Sequence, residues 1–174
     1  KVGSAESLWA VHTVQNGSGV NMPQWMEIDV TGGTVNSTAK QQQIYAPDTT
    51  LHRFMPSLAV DKDGNMALGY STSSSSTFPS IAYSGRLASD TLGTLPQSET
   101  QLIAGSGSQV NCNGSPCPRW GDYSAMSIDP ADDCTFWYIN QYYSSQTNGN
   151  TSNWQTRIGS FKFPTCGAVS TPTS

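Results

Sequence analysis

The stretch Arg53-Phe54-Met55-Pro56-Ser57-Leu58-Ala59-Val60-Asp61-Lys62-Asp63-Gly64-Asn65-Met66-Ala67-Leu68-Gly69-Tyr70-Ser71 decides the fold. An Arg and an aromatic lead into a short apolar run that ends in Asp. A turn rich in Asp, Gly and Asn follows, and a second apolar run closes the unit. The pattern returns at 119–142, where Arg119-Trp120-Gly121-Asp122-Tyr123-Ser124 leads to Ile128-Asp129, an acidic turn, and Phe136-Trp137-Tyr138-Ile139. Apolar runs of this length, joined by Asp-Gly or Asp-rich turns, read as strands of antiparallel hairpins.

Working outward, Leu8–Val14 and Trp25–Val30 read as strands, the second from its alternation of apolar and polar residues. Gln42–Tyr45 is a short strand that Pro47-Asp48 ends. The first full unit has strands near 54–60, 66–72, 80–86 and 100–104. The serine-rich run 71–77 is read as a loop, and 88–98 as a longer connection. The second unit has strands near 123–129, 134–143 and 154–163. No segment holds helical periodicity over three turns. The expectation is an all-β chain.

Repeated sheet units point to a β-propeller or a related array. The strand count gives about three blades, one complete and two partial, at about 1–48, 49–108 and 109–166. Residues 8–45 are read as a unit lacking its innermost strand, and 167–174 as a Ser/Thr/Pro-rich tail. Three blades cannot close a ring, so the rest would come from a longer precursor, identical copies or a partner protein. The alternative is a two-sheet β-sandwich.

The 174 residues include 8 Lys and Arg against 12 Asp and Glu, a net charge of −4. No basic stripe exists to neutralise phosphates, which excludes a nucleic-acid binder of the usual kind. Five Trp and seven Tyr exclude disorder. No run approaches the roughly 20 apolar residues of a membrane-spanning helix. Low charge with many small polar residues suits a secreted or cell-surface protein. The start at Lys1 reads as processed or truncated. Sequons stand at Asn16, Asn36, Asn113 and Asn150. Four Cys allow three pairings. Cys112–Cys117 would close a turn-rich loop, and Cys134–Cys166 would staple the last sheet.

The segments Arg119–Ser124, Asp129–Tyr138 and Trp154–Phe161 resemble the C-terminal part of large secreted bacterial proteins, the sialidase-like or BNR-repeat β-propellers. The resemblance covers residues 50–166. It implies a propeller fold and, for members with activity, glycoside hydrolysis. The family's Asp-box runs Ser-x-Asp-x-Gly-x-x-aromatic. Here Asp61 and Gly64 stand one residue further apart, and the second copy has no Gly, which weighs against hydrolase activity.

Four sets of residues carry candidate chemistry. Arg53 and Arg119, with Arg86 or Arg157, would clamp a carboxylate, as the sialidase arginines do; the guanidinium fork suits that geometry. The plain alternative is pairing with local acids or stacking on Phe54 or Trp120. Asp122 and Tyr123 would supply acid and nucleophile of a sialidase-like mechanism, with Glu27 or Glu99 as base. No sequence feature puts either Glu beside a Tyr, and a turn cap and a core aromatic are the alternative. Asp61, Asp63 and Asn65 offer oxygens to calcium, although the spacing excludes an EF-hand; alternatively they stabilise a hairpin turn. Trp120, Tyr123, Trp137, Tyr138, Tyr142, Tyr143 and Trp154 would form a sugar-binding platform or pack in the core. No other cofactor is expected. The leading expectation is a non-catalytic module with carbohydrate as ligand; the alternatives are a glycoside hydrolase and a self-assembling structural subunit.

Overall fold

The sheets are built from short hairpins. The structure, a computed structural model, describes residues 1–110, 120–148 and 154–167. Its strands are β1 (Ser7–Gln15), β2 (Asn21–Asp29), β3 (Gln41–Ile44), β4 (His52–Val60), β5 (Met66–Ser74), β6 (Thr77–Arg86), β7 (Gln97–Ile103), β8 (Gln109–Val110), β9 (Ala125–Ile128), β10 (Phe136–Tyr143), β11 (Thr147–Asn148) and β12 (Trp154–Phe161). Among the described residues the helical content is one 3-10 turn, Thr31–Gly33. No helix of the described residues is long and apolar enough to cross a membrane.

Three antiparallel sheets result, ordered β1-β2-β3, β4-β5-β6-β7 and β12-β10-β9, and none closes into a barrel. One four-stranded unit between two three-stranded ones is the count expected from the sequence. β8 and β11 add a small parallel pair.

The β4–β5 turn shows why the repeat folds. Asp61 Oδ1 accepts from the backbone N–H of Asp63 at 3.0 Å and of Asn65 at 2.9 Å. Gly64 takes φ 87°, a left-handed value natural to glycine. β4 itself is interrupted. Its register shifts between Phe54 and Ser57, around Pro56, which lacks the N–H a ladder needs. Met55 there has φ 49°, strained for a side chain of its size. The irregularity is used: Met55 O accepts from Ser124 Oγ at 2.8 Å, and Ser57 Oγ accepts from Met126 N at 2.9 Å. These bonds tie β4 to β9.

β4 packs against both β1 and β9, so the first strands of the three sheets lie together. In the first sheet β1 is the strand at this seam, with β2 and β3 following it in the sheet order.

β5 is buried on both faces. Met66, Leu68 and Tyr70 meet Trp25 and Tyr45 of the first sheet's side. Ala67 joins Ile81, Met126, Phe136 and Tyr138 on the other side. A strand covered on both faces loses polar alternation, as Met66–Tyr70 does. Small residues of β5 receive large ones of β10. A Cβ on Gly69 would lie 2.5 Å from carbons of the Tyr138 ring, and Asn140 Nδ2 donates to Ser71 Oγ at 3.1 Å.

The serine-rich run 71–77 corrects one expectation. It continues β5 through Ser74, with a turn at Ser75 and Ser76. Ser71 and Thr72 are buried. Their composition suggests a loop, but the polar groups of Trp120 and Asn140 give the Ser71 hydroxyl partners inside the sheet stack.

Cys134 and Cys166 form the expected disulfide, with Cα atoms 5.7 Å apart. The Cys112–Cys117 pair lies outside the described residues.

Candidate functional site

Residues of β4 and β5 alternate between two environments. Arg53 pairs with Thr72 and faces the first sheet. Phe54 and Ser71 lie on the other face, where Trp120 packs, while His52 Nδ1 at the strand end accepts from Asn21 N of β2 at 3.4 Å. At this end of the strands Trp120 precedes β9 and covers the seam. Its ring meets Phe54 edge-on at 5.9 Å and Tyr143 at 5.6 Å, and its Nε1 donates to Ser71 Oγ at 3.3 Å. Trp120 and Phe54 thereby wall a cavity of about 480 Å³, completed by the Ser73–Pro79 hairpin, Ser108 and Gln109. A second hollow of about 280 Å³, walled by Asn21 and His52, adjoins it at Phe54, Ser73 and Ser74. Two aromatic rings beside a row of hydroxyls offer flat apolar surface together with hydrogen-bonding groups.

The arginines do not converge. Arg53 is 2% exposed and fully committed. Its Nε and Nη2 donate to Glu99 at 2.7 and 3.1 Å, Nη2 also to Asp48 at 2.7 Å, and Nη1 to Leu51 O at 3.1 Å. The guanidinium lies 5.8 Å from the Tyr45 ring centre. Arg86 pairs with Met66 at the opposite end of the sheet. Arg157 is exposed on β12, opposite Asn140. Arg119 lies outside the described residues. The expected carboxylate clamp of Arg53 with Arg86 or Arg157 is therefore not assembled, because strand alternation and length separate its members.

One Tyr–Glu pair does form, and sequence reading missed it. Tyr70 Oη donates to Glu99 Oε2 at 2.7 Å. Tyr70 is fully buried, and its phenol is pushed above its ordinary range by burial first, then by Tyr45 and Glu99. Both facts oppose a nucleophile. Glu27 is held by Ser7, Lys40 and Gln41 instead; burial alone would raise its carboxyl, but these bonds outweigh it and lower it. Asp122 and Tyr123 are exposed, Tyr123 at 91%, so Tyr123 is not the core aromatic that the alternative required.

The calcium candidates cap their own turn. Beyond the two Asp61 Oδ1 bonds, Asp61 Oδ2 accepts from Asn65 Nδ2 at 2.8 Å, Asn65 Oδ1 from Ala88 N at 2.9 Å, and Asp63 Oδ2 from Gly167 N at 2.8 Å. These N–H donors meet both carboxylate oxygens of Asp61, the amide oxygen of Asn65 and one oxygen of Asp63, the turn-stabilising role that was the alternative to calcium. Asp63 also lies beside Cys134 and Cys166, whose sulfurs are already joined to each other.

The aromatic set divides. Tyr138 and Tyr143 are buried. Trp137 points outward at 42% exposure, with Nε1 donating to Asp129 at 3.0 Å. It stands at the far end of β10 from Tyr143 and Trp120, so it is no part of the cleft. Among the described residues singled out in the sequence as candidates, Trp120 lines it. Phe54 appeared there only as a stacking partner. Phe78 and the serines were passed over, because a serine-rich run carries no chemistry until its fold is known.

A larger cavity of about 560 Å³ lies at the Gly64 end, walled by Trp9, Glu27, Lys40 and Arg86 among others. Lys40 pairs with Glu27 there at 2.9 Å, and Lys62 Nζ donates to the backbone carbonyl of Asp132 at 2.9 Å. Arg86 Nη2 donates to Asp90 O at 2.7 Å, while its buried Nε has no partner among the described residues. The cavity presents no paired aromatic walls of the kind formed by Trp120 and Phe54. The chain matches no family model, no curated protein and no solved structure.

Proposed function

We propose that this chain is a non-catalytic, extracellular carbohydrate-binding module built from neighbouring blades of a sialidase-like β-propeller. The observation that carries the binding reading is the cleft between Trp120 and Phe54, flanked by Ser and Thr side chains. Sugars present apolar faces to rings and hydroxyls to polar walls, and such a cleft offers both. The propeller reading takes its support from the three sheets and the gathering of β1, β4 and β9 at one seam. Extracellular placement takes support from the Cys134–Cys166 disulfide. The non-catalytic reading takes support from Tyr70, which is fully buried and donates to Glu99, the carboxylate already held by Arg53.

The test is retention on a glycan panel. The folded protein should bind at least one glycan class, and Trp120→Ala should weaken that binding by about tenfold or more, with its circular dichroism unchanged. Equal binding by the variant would remove the cleft from consideration.

The assembly reading has its own observation. The outer face of the third sheet exposes Trp137, Ile139, Ile158 and Trp154, and that of the first exposes Leu8 and Ile44. Apolar faces at both ends of a sheet stack suit further sheets. Sedimentation of the chain as a monomer at micromolar concentration would count against self-assembly.

A further inference from the structure

We infer that the cleft selects an uncharged, extended oligosaccharide rather than an acidic sugar, an inference that rests on the carbohydrate reading above. Two observations carry it. The first is charge. Among the described residues that wall the cavity and its adjoining hollow, none is Asp, Glu, Lys or Arg. The nearest arginine in sequence to Phe54, Arg53, points to the opposite face of β4 and spends its donors on Glu99, Asp48 and Leu51. A carboxylate placed against Trp120 and Phe54 would lose water without gaining a counter-charge from the described walls, which is costly. Neutral hydroxyls meet no such penalty, because the Ser and Thr groups can both donate and accept.

The second is shape. The two hollows of about 480 and 280 Å³ share Phe54, Ser73 and Ser74 as a common wall. Trp120 stands on one side of Phe54 and His52 on the other. Phe78, 46% exposed, adds a third ring at the Trp120 side. A ligand running from Trp120 past Phe54 to His52 fills both hollows, whereas a single sugar fills one. Length therefore adds contacts without adding charge.

The experiment is calorimetric titration of the full chain with neutral linear hexasaccharides of glucose, mannose and xylose and their monosaccharides. Sialyllactose and oligogalacturonate serve as the acidic probes. A neutral hexasaccharide should bind about tenfold tighter than its monosaccharide. Its affinity should change less than about twofold between low and roughly 0.5 M salt, since no ion pair is made. His52→Ala should remove the gain from length and leave monosaccharide binding. Phe78→Ala, on the exposed rim, serves as the second variant and should weaken every neutral ligand bound. Preference for an acidic probe, salt-sensitive binding, or loss of binding in Arg119→Ala would overturn this inference and leave the carbohydrate reading standing. Equal affinity for monosaccharide and hexasaccharide would overturn the extended ligand. Failure of the folded chain to bind any sugar would overturn the carbohydrate reading itself.

Discussion

Glu99 grips Arg53 with both carboxylate oxygens, Oε2 accepting from Nε at 2.7 Å and Oε1 from Nη2 at 3.1 Å. The two residues are 46 positions apart, and the bond joins the first strand of the middle sheet to its last. Arg53 is buried, while the Glu99 side chain keeps 28% exposure. Removing one partner of such a pair leaves a charge in a poor solvent. Glu99→Gln should cost roughly 2–3 kcal/mol, below the full buried-pair range because Glu99 is partly solvated and Asp48 remains. It also weakens the acceptor for Tyr70. Urea unfolding should show a lower midpoint with an unchanged slope; no change in midpoint would mean that Asp48 alone satisfies Arg53.

Asp48 gives this cluster a pH dependence. Burial raises its carboxyl, but the N–H groups of Leu51 and Thr50 and the Arg53 guanidinium outweigh that and hold it at about 2, against an ordinary 3.8. A folded value below the unfolded one stabilises above the unfolded value and is lost as pH falls through the folded one. Stability should therefore hold from neutral pH to about 4 and decline between about 4 and 2. Asp132, bonded to the N–H groups of Thr135 and Cys134, is lowered in the same direction and adds to the decline. Asp48→Asn should flatten the acid limb of a melting-temperature profile. An equally steep limb in the variant would assign the decline to other carboxyls.

The Cys134–Cys166 bridge closes a loop of 32 residues in sequence separation. Chain-entropy reasoning makes its removal worth about 3–4 kcal/mol. The double variant Cys134→Ala, Cys166→Ala should unfold at markedly lower urea than the parent. A shift under about 0.5 kcal/mol would show that the β10–β12 sheet holds the two ends together unaided.

Gly69 and Tyr138 fix how closely the middle and third sheets approach. A methyl group at Gly69 would meet ring carbons at 2.5 to 2.7 Å, and Tyr138 is fully buried. Gly69→Ala should cost about 1–3 kcal/mol through overpacking. Gly69→Ala with Tyr138→Leu should recover part of the loss, because the smaller side chain vacates the ring's place. Absence of recovery would point to the strand backbone instead.

Strands, turns and sheet count were legible in the sequence because each rests on residues close together. Asp61 satisfies N–H groups two and four positions on, and Gly64 takes the left-handed turn, so the hairpin is written locally. The Ser71–Ser74 segment was misread for the opposite reason. Its hydroxyl partner groups, Trp120 and Asn140, lie 49 and 69 positions away.

The same division runs through the candidate site. By itself the sequence determined an all-β chain of repeated hairpins, with low charge and many aromatics, and it pointed to the Cys134–Cys166 bridge from where the strands begin and end. Only tertiary structure decided which aromatics are free to meet a ligand. Trp120 and Trp137 look alike in sequence, yet one closes a cleft against Phe54 and the other lies on an outer sheet face. Arg53 reads as a ligand clamp until Glu99 and Asp48 are brought to it. A strand's alternation sets two faces, but which face is buried, and against what, depends on sheets that meet from distant parts of the chain.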